Sequence, residues 1–297
     1  MSRTSNSADS DPQIQASKKA ADSSGRFTLI GVEKLSNHDP NEMAGIIAGG
    51  PMRAIFEALG AEPPRFAHHN LLTRSDGEPL SKRDNPLSIR QLAADGYEPM
   101  AVASLAALVG TSHPVAPADD LAALAAQVAL EDVSRGPATF DPAELVRLNA
   151  AIVHDLGPEA APPLGDPALD RAAFWQTVRG NLAFRKDAEV WAWRASAPAA
   201  SLLADVPPSS ADERAVLSAA IEALAEEPWG EGTFAALTKS VRARTGAKGK
   251  ALFLPLRRAL TGVDAGPELG PWLALIGADR ARDRLAAAAS IHAADPN

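Results

Sequence analysis

Glu78-Pro79-Leu80-Ser81-Lys82-Arg83-Asp84 stands where the chain changes character. Ahead of it, Met52 to Leu59 reads as a helix after the break at Gly49-Gly50-Pro51. Phe66 to Leu72 with the Asp76-Gly77 turn predicts a small hairpin, and Phe27 to Val32 is a short apolar run of strand type. Beyond Pro86 the pattern turns helical. Ile89, Leu92 and Ala93 share one 3.6-residue stripe, Ala101, Leu105 and Leu108 share another, and Gly110 is a stop. The sequence thus predicts a mainly α protein with a small α/β portion in front.

Caps and prolines divide the helical part. Asp119 is placed to cap a helix from Leu121 to Leu130, and Asp141-Pro142 with Glu144 supplies a cap, a first-turn proline and an acidic start for a helix to Leu156. Pro158, Pro162, Pro163 and Pro167 separate it from Arg171 to Gly180; Pro198, Pro207 and Pro208 separate Ala188 to Arg194 from Asp212 to Glu226. A last unit opens near Trp229, with Phe234, Leu237 and Val241 on one face and Lys239 and Arg242 on another. These seams give segments 1–26, 27–86, 87–140, 141–228 and 229–297. The first has almost no large apolar side chains to offset the entropy of ordering, so it is expected to be a disordered tail.

The chain has 297 residues, 46% of them hydrophobic and 22% charged, as an ordinary globular protein does. It has no cysteine, which excludes disulfides, thiolate metal sites and cysteine nucleophiles. With no signal-peptide core and no long apolar run, neither secretion nor membrane spanning is expected, and the expected address is the cytoplasm. The charge is unevenly spread. Residues 239–258 hold Lys239, Arg242, Arg244, Lys248, Lys250, Arg257 and Arg258 and no acid, so the overall −8 less this +7 leaves −15 elsewhere. Either a solvated helix face or an anionic partner such as a phosphate backbone relieves that clustering. Gly246 and Gly249 bracket Lys248 and permit close backbone approach to a phosphate.

Three ordered blocks carry a resemblance. The first is Ala54 to Leu59, then Pro63-Pro64-Arg65-Phe66-Ala67-His68, Asp76-Gly77 and the quoted stretch. The second is Ser88-Ile89 and Asp95-Gly96-Tyr97-Glu98-Pro99-Met100-Ala101. The third is Arg244-Thr245-Gly246-Ala247-Lys248-Gly249-Lys250 through Thr261-Gly262, followed by Gly266-Pro267-Glu268-Leu269 and Arg284-Leu285. Together, from about Met52 to about Leu285, they resemble glutamyl-tRNA synthetases, which are class I aminoacyl-tRNA synthetases. The quoted stretch resembles that family's KMSKS-type loop, with Ser81, Lys82 and Arg83 matching and Pro79 departing at a position that is commonly lysine.

The resemblance implies ATP-dependent ligation of glutamate to tRNA, with ATP and magnesium as cofactors. In that loop Lys82 would be a mobile ammonium following the leaving pyrophosphate. It also implies that 27–86 is a remnant of the catalytic domain, 87–140 a stem-contact region, and 141–228 and 229–297 proximal and distal anticodon-binding domains, the last two forming a helical cage. No His-x-Gly-His or His-x-Gly-Asn signature occurs; Ser36-Asn37-His38-Asp39-Pro40 lacks the spacing. The family's Rossmann-like half is therefore expected to be missing, no catalytic residue or metal ligand is assigned, and the chain alone is expected to be inactive. The expected partner is tRNA, read by Arg257 or Arg258 and held by the other cations of 239–258, with no membrane or DNA partner. Three readings stay open: one half of a split ligase whose Rossmann half is a separate chain, a stand-alone tRNA-binding protein, and the product of a truncated or frameshifted synthetase gene.

Other residues have plainer readings. His68 and His69 alternate across a strand, Trp175, Trp191, Trp193, Trp229 and Trp272 are expected core anchors, and Asp119-Asp120 and Glu226-Glu227 are helix-end acids and not a catalytic dyad.

Overall fold

The computed structural model describes Phe56, residues 58–62, Asn70, residues 72–77, and residues 88–291 apart from Arg135, Glu227 and Glu231. The expected tail 1–26, the run Phe27 to Val32, His68, His69, and the loop with Ser81, Lys82 and Arg83 lie outside the described residues. The chain divides into two compact units, one of residues 1–85, 106–115 and 122–141, the other of 86–105, 116–121 and 142–297.

The described part of the first unit holds a two-stranded parallel sheet. Strand β1 (Leu72–Thr73) pairs with β2 (Ala138–Thr139), Leu72 opposite Ala138 and Thr73 opposite Thr139. Most of the expected hairpin, Phe66 to His69 and Leu71, lies outside the described residues; the described strand pairs 66 residues downstream by that register. The reason lies in the flanks. The Phe140 amide bonds the Thr73 carbonyl at 2.8 Å, while the Asn70 side-chain amide donates to the Gly110 carbonyl at 2.7 Å and ties β1 to the downstream segment. Gly110, at φ 76°, leaves room there: a Cβ would fall 1.8 Å from that amide. The Asp76-Gly77 turn forms as read, with Gly77 at φ 84° and its N–H on the Arg74 carbonyl.

In the second unit the helices follow their caps. Helix α1 (Ile89–Asp95) starts where the Ser88 hydroxyl accepts the Gln91 amide at 3.2 Å and stops at left-handed Gly96. Helix α2 (Pro99–Leu108) follows, this unit holding it to Leu105; α3 (Leu121–Gln127), which after Leu121 belongs to the first unit, is shorter than the expected run to Leu130 because a 3-10 turn, Leu130–Asp132, takes over. Helix α4 (Pro142–Asp155) keeps its first-turn proline and Glu144. Buried Asn149 on α4 satisfies both ends of its amide, accepting from the Glu98 amide at 2.6 Å and donating to the Ala183 carbonyl at 2.7 Å.

Helix α5 (Arg171–Val178) is capped by Asp170, whose carboxylate accepts the Ala173 amide at 2.7 Å. Next come α6 (Ala188–Ser196) and α7 (Ala199–Leu202). Helix α8 (Ala211–Glu226) opens on a capping box: Ser210 accepts the Glu213 amide at 3.2 Å and Glu213 accepts the Ser210 amide at 2.8 Å. Helices α9 (Thr233–Thr245), α10 (Lys250–Thr261), α11 (Leu269–Ile276) and α12 (Ala278–Ser290) complete the unit. Helix α8 packs on α9, α10 and α12. The core is built from Phe174, Trp175, Leu217, Leu224, Leu252, Leu256, Trp272 and Leu285.

The five tryptophans do not share the expected role. Trp175 and Trp272 are fully buried, their indole N–H groups donating to the Leu156 and Leu260 carbonyls at 2.7 and 3.0 Å. Trp191 meets Trp272 edge to face with centroids 5.5 Å apart. Trp193, however, is 49% exposed and Trp229 37% exposed, so neither is a core anchor.

Arg284 on α12 is buried to 1% exposure. Its Nη1 donates to the Leu260 carbonyl at 2.8 Å, and its Nη2 to the carbonyls of Arg194, Ala195 and Ala197 at 2.7, 3.1 and 3.0 Å. The last three sit at the end of α6, where carbonyls lack intrahelical donors. Pro198, four residues after Arg194, has no N–H to offer. The guanidinium supplies the donors the backbone lacks. Burial, reinforced by Arg280, draws its pKa down to about 10, so it stays charged at neutral pH.

Candidate nucleic-acid interface

The basic segment runs from the second half of α9 through a short turn into α10. The apolar positions Leu237 and Val241 bury one side of α9 and turn Lys239 and Arg242 outward. Left-handed Gly246, at φ 70°, ends the helix with its N–H on the Arg242 carbonyl at 2.9 Å. Gly249, at φ 53°, starts α10, and its carbonyl accepts the Phe253 amide at 3.0 Å. Lys248 stands exposed between these two glycines, and no atom lies within 4 Å of where either would carry a Cβ. Pro255 and Leu256 lie inside α10 and are buried. Left-handed Gly262, at φ 73°, ends α10.

The seven cations fall into two sets. Arg244 forms ion pairs with Glu222 at 2.5 Å and with Glu226. These acids are four apart on α8 and so share a face. Arg258 binds Asp264 through two bonds, Nε to Oδ1 at 2.6 Å and Nη2 to Oδ2 at 3.0 Å, and reaches Glu213 at 3.4 Å. The bond to Asp264 pushes the Arg258 pKa up and holds the Asp264 carboxyl below the usual range.

Arg257 is half-buried, and burial lowers its pKa. Its Nη1 donates to the Pro267 carbonyl at 2.8 Å, which fixes the plane of the fork. In contrast, Lys239, Arg242, Lys248 and Lys250 are exposed. Among the described residues none of the four has a hydrogen-bonded or ion-pair partner, and Lys250 lies near enough to Asp264 to help depress its pKa.

The sequence reading missed Glu222, Glu226, Glu213 and Asp264, which decide which cations are free. Only the four-residue spacing of Glu222 and Glu226 signalled a shared face. No group of three or more His, Asp or Glu side chains among the described residues is placed to hold a metal, and no described helix is long and apolar enough to cross a membrane.

A family described as the anticodon binding domain matches residues 203–289, the span that contains this segment. Glutamate–tRNA ligase 2 of Methylobacterium sp. (strain 4-46) is 52% identical over 236 residues, covering 78% of this chain and 51% of that ligase. Glutamate–tRNA ligase 1 of Brucella ovis is 45% identical over 239 residues, covering 79% of this chain and 51% of that ligase. The chain is a homologue of glutamate–tRNA ligases. It spans about half the length of the curated relatives it matches. A glutamate tRNA ligase from Elizabethkingia meningosepticum, solved in complex with its amino acid, has the same fold at a TM-score of 0.59 and 18% identity, over 81% of this chain and 54% of that one. The mainly helical architecture expected from the sequence is that of these ligases' corresponding part.

Proposed function

We propose that this chain binds tRNA through the free cations of α9, α10 and the turn between them, and that it serves the attachment of glutamate to tRNA. The observation that carries the proposal is the separation of the cations. Lys239, Arg242, Lys248 and Lys250 project exposed, with no side-chain partner among the described residues, from a domain of anticodon-binding type, a fit to phosphate and not to a self-neutralised surface. Arg244 and Arg258 anchor the helices that present them. Arg257 is the candidate base reader, because Pro267 orients its fork while its Nε and Nη2 donate to no described residue.

ATP and magnesium belong to this proposal through the relatives' reaction, with Ser81, Lys82 and Arg83 as the loop that would face the nucleotide. So do a cytoplasmic setting, a separate Rossmann half as second partner, and the division at 27–86, 87–140, 141–228 and 229–297. The chain alone is proposed to supply the tRNA-binding part of the reaction and not activation. Pyrophosphate exchange into ATP above background by the isolated chain overturns that point.

The binding claim is tested by the salt dependence of tRNA affinity. Each cation withdrawn from a phosphate of single-stranded RNA lowers the slope of log affinity against log salt by about 0.7, so replacing Lys248 and Lys250 by alanine should lower it by about 1.4. Both side chains are exposed, so the fold should stay within roughly 0.5 kcal/mol. An unchanged slope puts the phosphate-binding face elsewhere and returns the segment to the solvated-face reading.

A further inference from the structure

Phe253 is a large apolar side chain left 37% exposed on α10, where Leu252, Leu256 and Leu260 are buried and Leu254 is half-buried. Its neighbours on the helix surface are cations. Lys250 lies three residues before it and Arg257 four after, so the three form one stripe at helical spacing. Beneath it, Phe234 of α9 meets the ring at a centroid distance of 6.5 Å and an interplanar angle of 37°, so one edge is braced while another area of ring stays open.

An apolar ring between a free ammonium and an oriented guanidinium suits one kind of occupant. A peptide helix would bury the Lys250 charge for no return, whereas an unpaired nucleotide offers a π-face to the ring, a phosphate to Lys250 and base-edge acceptors to Arg257. We propose that Phe253 is a stacking platform for one unpaired base of the bound RNA, with Lys250 taking the phosphate beside it. This rests on the tRNA-binding reading above and names where on that surface a single-stranded base lies.

The test uses the full chain and RNA hairpins carrying 2-aminopurine at one loop position at a time, since stacking on an aromatic ring quenches that base. With the wild-type chain one loop position should be quenched on binding. Phe253→Tyr should keep the quench, and Phe253→Leu should abolish it and weaken binding roughly five- to a hundred-fold, the range for loss of one stacked base. The salt slope should be the same for Phe253→Leu and wild type, because no charge is removed. Wild type that binds the hairpins with no quenched position, or with a quench and affinity indifferent to Phe253→Leu, overturns the platform and leaves the tRNA-binding reading standing. Wild type that binds no RNA hairpin overturns the reading beneath it. Concentration-dependent self-association that disappears in Phe253→Leu, with no effect on RNA, overturns the platform in favour of an interface between copies.

Discussion

Replacing Arg284 by methionine isolates what one buried guanidinium does for the helical unit. Methionine keeps an unbranched apolar stem of similar length and removes every donor. The Leu260 carbonyl keeps a partner, because Trp272 also donates to it. The carbonyls of Arg194, Ala195 and Ala197 lose the Arg284 nitrogen that satisfies them. A buried polar group left unsatisfied costs about 1–3 kcal/mol. The three share a single nitrogen and are not additive, so the expected loss is about 3–5 kcal/mol. That is a large part of the roughly 5–15 kcal/mol that holds a domain folded. It corresponds to a fall of about 6–20 °C in Tm for a unit of this size. Urea unfolding followed by the buried Trp175 and Trp272 is the assay, with the slope m checked for constancy. Arg284→Lys keeps the charge but not the fork, and should recover only part of the loss. A loss below about 1 kcal/mol for Arg284→Met would refute the claim that this side chain completes the end of α6.

Four further outcomes are expected. Replacing Glu222 and Glu226 together by glutamine should release Arg244 and raise the salt slope of tRNA binding by about 0.7, at a stability cost of no more than about 1 kcal/mol for an exposed pair; an unchanged slope means Arg244 reaches no phosphate. Gly262→Ala should cost clearly more than Gly246→Ala in urea unfolding, since both need positive φ but only the Gly262 Cβ would lie 2.6 Å from a backbone oxygen, that of Leu202; equal costs would leave the close approach without effect. Arg258 depresses the Asp264 pKa in the folded state, so this carboxylate stabilises the fold above its unfolded value near 3.9 and the contribution is lost as pH falls through the folded value. The Tm difference between wild type and Asp264→Asn should therefore be constant above about pH 5 and shrink in acid, and a gap that widens in acid contradicts the sign. If a related Rossmann half restores charging, Lys82→Ala should abolish most of the restored rate while leaving tRNA affinity unchanged, because an ammonium that meets pyrophosphate only as it leaves acts on turnover; a restored rate indifferent to Lys82 rejects that role.

The helices were legible where their ends are written in local chemistry. Pro142 and Glu144 open α4 and left-handed Gly110 follows α2, as read, while Ser88, Asp170 and the Ser210 and Glu213 pair cap helices within four residues of themselves although the sequence was not read for them. The pairing of β1 was not legible for the converse reason. Two residues are too few to show a period, and the partner was selected by Asn70 reaching Gly110, 40 residues along the chain. Trp193 and Trp229 misled because bulk alone favours burial, whereas exposure is set by what the neighbouring helices leave uncovered.

The candidate interface shows the same division at the level of single charges. Composition revealed seven cations within residues 239–258 but gave every one the same standing. Their roles depend on acids that arrive from other helices and turns: Glu222 and Glu226 from α8 for Arg244, Glu213 and Asp264 for Arg258. Arg284 is the extreme case. In sequence it stands among the motif residues that resemble an RNA-binding family, yet its two Nη groups donate to four backbone carbonyls and the side chain is buried. A positive charge marks a nucleic-acid contact only when the fold leaves its donors unspent. By that criterion the proposed phosphate face narrows to Lys239, Arg242, Lys248 and Lys250, with Arg257 oriented beside them.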